Sequence, residues 1–195
     1  MEALRIADGL WRWTAVHPRW KFWPDHEREA PEVGCIYYEA EDATVLIDPL
    51  VPAGEEDDFF RHLDADVERR RLPVVILLTA EWHRRSADEL AARYQARIGG
   101  ALPEGVEEIP IEGADEQQVA YFIRPHAALV TCEVFAVAID GELRMCASPA
   151  LKRPDELETS LERIMGLPIE RLLVSHGEPV LVDAKARMAE ALARR

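Results

Sequence analysis

The run Val74 to Leu78 constrains this chain most: five consecutive apolar residues follow Pro73, with no polar residue alternating among them. A strand with one wet face alternates, whereas an unbroken apolar run of strand length belongs to a strand covered on both faces. Layers must therefore lie on both sides of that sheet. The flanking residues fit this demand. Glu55 to Arg71 places Phe59, Phe60, Leu63 and Val67 on one helical face, with acids in its first turn and Pro73 beyond its end. Ser86 to Arg97 reads as the next helix, ended by Gly99-Gly100.

The remaining pattern alternates strands and helices. Leu4 to Val16 reads as a strand or hairpin, leading into an aromatic, basic patch of Trp20, Lys21, Phe22 and Trp23 and a turn-rich stretch at Pro24-Asp25 and Pro31. Trp11, Trp13, Trp20 and Trp23 read as packing between sheet and loop. Val33 to Glu39, the polar Glu41-Asp42 and Ala43 to Ile47 form a hairpin signature. Val106 to Ile111, Val119 to Ile123, Thr131 to Ile139 and Leu143 to Cys146 read as a meander, with a tight turn at Asp140-Gly141. Asp155 to Met165 is a helix between Pro154 and Gly166, Leu172 to Val174 a last buried strand, and Ala184 to Leu192 a last helix. Strands followed by a helix occur twice. The expected class is α+β: an αββα sandwich of two facing mixed β-sheets with helices on the outside, forming one domain over residues 1–195. No internal sequence repeat is present.

Composition narrows the function classes. With 48% hydrophobic residues in 195, the chain is long enough to bury one sizeable core. Its formal charge of -14, from 37 acidic and 23 basic residues, repels nucleic acid and anionic membranes on average. The basic run Arg69-Arg70-Arg71 ends a helix, where cations complement the helix dipole. Three cysteines without CxxC spacing give no disulfide or zinc-ribbon signature. No apolar segment reaches the roughly 18 residues of a membrane span, and the charged residues Glu2, Arg5 and Asp8 do not read as a signal peptide. A soluble chain in a reducing cytoplasm, monomer or homodimer, is the expectation.

Three segments together resemble the metallo-β-lactamase fold superfamily, in order and spacing as well as wording: Ala43 to Pro49 (ATVLIDP), Val74 to Ser86 (VVILLTAEWHRRS) and Leu172 to Val180 (LLVSHGEPV). The correspondence runs over about residues 7 to 192. In that family the last segment carries the final zinc-binding histidine, which implies His176. The main metal motif, HxHxDH, follows a strand ending in Leu-Thr, so its positions fall here on Ala80, Trp82, Arg84 and Arg85. None offers the lone pair that zinc requires, and two guanidiniums repel a cation. The resemblance also asks for a further histidine on a Gly-His-Thr-Pro-Gly-like turn and an aspartate at the end of a later strand. Pro125-His126-Ala127 stands for the first, and Cys146-Ala147-Ser148 for the second.

These replacements predict a degenerate metal site with no cofactor expected, at the edge where loops 79–86, 124–132, 146–150 and 175–179 converge. Arg84, Arg85 and His176 become candidate contacts for a small anionic ligand. Alternatively, Arg84 and Arg85 are solvated helix charges, with Arg85 and Glu89 an i,i+4 pair. A rival reading keeps a hydrolase with one zinc or other divalent metal on His83, His126 and His176, with Asp48 or Glu81 handling a proton. Asp48 reads otherwise as a turn residue accepting backbone N–H groups before Pro49. His176 with Cys146 or Ser148 is a nucleophile and base only if they meet, and the 175–179 loop is also explained by shape alone, through Gly177 and Pro179. A third reading makes the chain a structural partner recognised through its acidic surface and the aromatics near Trp20 and Trp23.

Overall fold

A computed structural model describes residues 2–22, 30–114, 117–145 and 153–194. Trp23, Asp25, Cys146 and Ser148, on which some of the expectations above fall, lie outside the described residues. The chain divides into two compact units. One comprises Met1–Pro24, Pro31–Leu78 and Trp82–Gly105, and the other Asp25–Ala30, Thr79–Glu81 and Val106–Arg195.

The first unit is built on a six-stranded sheet in simple sequence order. Strands β1 (Ala3–Ala7), β2 (Leu10–Val16), β3 (Glu32–Glu39) and β4 (Thr44–Ile47) pair antiparallel, and β5 (Val74–Leu77) and β6 (Arg97–Ile98) continue the sheet in parallel. Parallel neighbours need a long crossover, and the amphipathic segments supply it. Helix α1 (Glu56–Arg70) joins β4 to β5, and α2 (Ala87–Tyr94) joins β5 to β6. The first turn of α1 carries Glu56, Asp57 and Asp58 and its last Arg69 and Arg70, the charge order its dipole favours. Phe59 and Leu63 of α1 and Ala87 and Leu90 of α2 pack with Trp13, Cys35, Leu46 and Ile76 on one sheet face. On the opposite face Val45, Ile47, Val75 and Leu77 are equally buried. The apolar residues Val74 to Leu77 are thus buried on both faces of the sheet, as their lack of alternation predicts.

One boundary differs. The helix expected over Ser86 to Arg97 stops at Tyr94, where Gln95 turns left-handed at φ 52° and its N–H caps the Ala91 carbonyl. Arg97 and Ile98 then pair with Val75 and Ile76. Joining the buried parallel ladder satisfies those backbone groups where another half-turn of exposed helix would not.

The second unit has a four-stranded sheet in the order β12-β9-β8-β7, formed by β7 (Val106–Ile111), β8 (Gln118–Ile123), β9 (Ala128–Thr131) and β12 (Arg171–Val174). Only the β12–β9 pair is parallel. Helices α3 (Pro154–Met165) and α4 (Ala184–Ala193) cover one face: Leu157, Leu161 and Ile164 of α3 and Met188 of α4 pack with Ile109, Phe122, Leu129 and Leu172. The strand expected over Thr131 to Ile139 is two strands. The chain turns at residues 132–134, and β10 (Phe135–Val137) pairs with β11 (Leu143–Met145) instead of prolonging β9. Among the described residues no helix is long and apolar enough to cross a membrane.

Candidate functional site

In the first unit the chemistry gathers where β4 and β5 end. Asp48 extends the ladder one step past β4, its N–H donating to the Leu77 carbonyl at 3.0 Å. It then adopts a left-handed φ of 50°, which aspartate tolerates better than most residues. This turn puts its carboxylate in the interior, where Asp48 is 3% and His83 2% exposed. The His83 Nδ1 lies 2.9 Å from Asp48 Oδ2. An ionised carboxylate only accepts, so Nδ1 carries the shared proton, and in the neutral ring the lone pair sits on Nε2. His83 comes from the short 3-10 turn Glu81–Arg84.

The same two segments are tied by three further hydrogen bonds, each with a main-chain group at one end or both. Arg85 Nη1 donates to the Asp48 carbonyl at 3.1 Å, Val51 N–H donates to Ser86 Oγ at 3.0 Å, and Ser86 N–H donates to the Pro49 carbonyl at 3.2 Å. Arg85 is half-buried and left-handed, with φ 34°. Its charge is felt inside the unit: burial pushes the Cys35 thiol up to about 11, and Arg85 is the foremost influence pulling it back. Asp48 is therefore more than a turn residue, since it orients an imidazole through its side chain and anchors a guanidinium through its carbonyl.

Arg84 behaves differently from its neighbour. Its guanidinium makes a two-pronged contact with Asp88, at 2.7 and 2.6 Å, on an exposed surface. The i,i+4 pair at the start of α2 is therefore Arg84–Asp88. Glu81 and Trp82 are exposed, and Ala80 is buried.

In the second unit the parallel register of β12 and β9 sets Val174 beside Thr131. The residues that follow emerge side by side. His176 Nε2 lies 3.3 Å from Glu133 Oε1, with His176 3% exposed. Cys132, between Thr131 and Glu133, is fully buried. Val137 N–H donates to the His176 carbonyl at 3.0 Å, holding the loop to β10. Two buried oxygens of this unit, Thr131 Oγ1 and Gln118 Oε1, have no hydrogen-bond partner among the described residues.

His126 is not brought to this end of the sheet. It sits in the turn Arg124–His126 before β9, whereas Thr131, Cys132 and Glu133 stand at or beyond the other end of that strand. Four residues of β9 separate the ends, roughly 13 Å at about 3.3 Å per residue. Arg171 Nη1 instead donates to the His126 carbonyl at 2.6 Å, and burial, with the Arg171 charge beside it, holds the imidazole below its ordinary range. His126 and His176 thus lie toward opposite ends of the parallel pair β9 and β12.

Glu133 is the residue that sequence reasoning missed. Running one strand from Thr131 to Ile139 hid Glu133 inside an element. The signal was the polar Thr131-Cys132-Glu133 break between the apolar Ala128 to Val130 and Val134-Phe135.

Ala80, Trp82, Arg84 and Arg85 carry a methyl, an indole and two guanidiniums, none of which has a lone pair suited to zinc. No family model and no curated protein sequence matches the chain. Solved structures do. An archaeal metallo-β-lactamase superfamily protein from Sulfolobus tokodaii aligns with a TM-score of 0.66 at 18% identity, over 95% of this chain and 85% of that one. A metallo-β-lactamase from Pontibacter korlensis aligns with a TM-score of 0.57 at 12% identity, over 100% and 99% of the two chains. A protein solved in a di-iron-bound form aligns with a TM-score of 0.56 at 19% identity, over 80% of this chain and 93% of its own. Identities this low speak for the backbone arrangement and leave the chemistry to the residues. With two mixed sheets and four helices among its described residues, this chain has the α+β fold of the metallo-β-lactamase superfamily.

Proposed function

We propose that this chain does not run the binuclear zinc hydrolysis usual for its fold, and that it binds a small anionic ligand through the loop holding Arg84 and Arg85. The observation that carries the reading is Arg85. Its guanidinium is half-buried and fastened to the Asp48 carbonyl, so a fixed positive charge occupies a ligand position of the resembled motif. At about 5 Å and an effective dielectric of about 20, a monocation repels a dication by on the order of several kcal/mol. The same charge attracts an anion, and the planar fork of donors suits carboxylate or phosphate.

Titration of the protein with inorganic phosphate, followed calorimetrically, tests the reading. Saturable binding that weakens at least about tenfold in Arg85→Ala is expected, a loss of about 1.4 kcal/mol or more. Equal affinity in that variant would reject Arg85 as the contact. Arg84 is already matched by Asp88 on the surface, so Arg84→Ala should alter binding less and shift folding stability by under about 1 kcal/mol.

A second reading, a hydrolase with an atypical mononuclear metal, draws support from the pairing of His176 with Glu133. Imidazole, carboxylate and the neighbouring Cys132 are the residue types that hold zinc or iron, and Thr131 Oγ1 and Gln118 Oε1 offer further oxygen lone pairs. A divalent ion held there would polarise water for hydrolysis. Elemental analysis separates the readings. Near-stoichiometric zinc, iron or manganese that vanishes in His176→Ala would displace the anion account, while metal-free protein after growth in supplemented medium would remove the second.

A further inference from the structure

In the first unit a cavity of about 310 Å³ opens between α1 and the helix-facing side of β1 to β4. A volume at the lower end of the roughly 300–1,000 Å³ range of ligand pockets is far more than a packed core leaves empty. Its walls are aromatic: Trp11 and Trp13 from β2, Tyr37 from β3 and Phe59 from α1. His62 and Asp66, on the same face of α1, stand among the lining residues. Both tryptophans pack against the sheet and helix core, and each also lines this space.

The rings are fixed. Trp13 Nε1–H donates to the Leu50 carbonyl at 2.9 Å, which uses its only polar group, and its ring lies 5.6 Å from Phe59. Trp11 and Tyr37 are cross-strand neighbours meeting edge to face at 5.5 Å. The Tyr37 hydroxyl donates to Glu39 Oε1 at 3.2 Å. Beyond burial, the Asp66 and Glu39 charges raise the Tyr37 pKa, Asp66 being the stronger, so negative potential reaches this wall.

We propose that this cavity binds a small organic cation, an amine or quaternary ammonium with an apolar body, seated on the aromatic faces with its charge toward Asp66. Aromatic faces are the negative side of the ring quadrupole and hold cations best where water is excluded. The charge of the whole chain, -14, enriches cations around it. Arg69 already contacts Asp66 at 2.9 Å, but it is half exposed and shares itself with Glu39. A carboxylate has acceptor room for a second cation.

The test titrates wild-type protein with benzyltrimethylammonium chloride, followed by tryptophan fluorescence and calorimetry, with phenylacetate as the anion of similar body. Saturation below about 10 mM by the ammonium, at least about tenfold weaker binding of phenylacetate, and about tenfold losses in Asp66→Asn and Trp11→Leu are expected. Asp66→Asn sits on the helix surface, and circular dichroism checks that both variants fold. Absence of saturation, equal binding of phenylacetate, or undiminished binding in folded Asp66→Asn would each overturn the proposal. Phosphate binding at Arg85 is untouched by either result, so the two sites stand or fall separately.

Discussion

Gly177→Ala is expected to cost about 4 kcal/mol of folding stability, read as a lowered midpoint in urea denaturation at unchanged slope. Two costs add. Gly177 follows His176 at φ +82°, a backbone region that side chains other than glycine's enter only with strain. A methyl there would also fall 1.9 Å from the Val137 carbonyl oxygen and 2.8 Å from Val137 Cβ. The obstacle is mainly backbone, which cannot rotate aside as a long side chain does. Nor can β10 back away cheaply, because the Val137 N–H is bonded to the His176 carbonyl, and separation would orphan a buried donor. A loss under about 1 kcal/mol would mean that the loop and β10 are not held this closely. Gly177 is thus required for the shape of the loop whatever His176 does chemically.

His83→Ala is expected to cost about 3 kcal/mol, since the buried Asp48 carboxylate loses the imidazole at 2.9 Å. Removing one member of a buried pair leaves a desolvated charge, which costs more than the pair itself contributes. His83→Asn keeps an N–H near the carboxylate and should recover about half of the loss. Thermal unfolding of the three proteins side by side measures it. Equal stability of His83→Ala and wild type would show that Asp48 is held by other donors and that the histidine is not structural.

Much of the layered fold was legible because burial on two faces leaves an unbroken apolar run, as at Val74 to Leu77, and because α1 announces itself through Phe59 and Leu63, its acidic first turn and Pro73. What escaped was set by pairing rather than propensity. Tyr94 is an adequate helix former, yet the helix ends there because Arg97 and Ile98 are claimed by β5. Likewise the local sign within Thr131 to Ile139 is slight, a polar break at Thr131 to Glu133, and the second strand is fixed by the pairing of Phe135 to Val137 with β11.

The candidate site divides in the same way. Residue chemistry can be read directly, since Ala80, Trp82, Arg84 and Arg85 offer no metal-binding lone pair in any conformation. Partners are long-range facts: Asp48 with His83 is separated by 35 residues and Glu133 with His176 by 43. The pairing of Arg84 with Asp88 rather than Arg85 with Glu89 turns on the left-handed Arg85, which swings its guanidinium back to the Asp48 carbonyl. The place of His126, in the turn before β9, likewise depends on which end of that strand it occupies.

On the function proposed above, two guanidiniums, an indole and a methyl deny a metal pair its donors. X-ray diffraction from crystals grown with zinc, iron or manganese, with anomalous data collected at each metal's absorption edge, tests it most directly. The predicted maps contain no paired peaks beside residues 80–85. Two fully occupied transition-metal peaks there, about 3.5–4 Å apart as in binuclear hydrolases, would contradict the account.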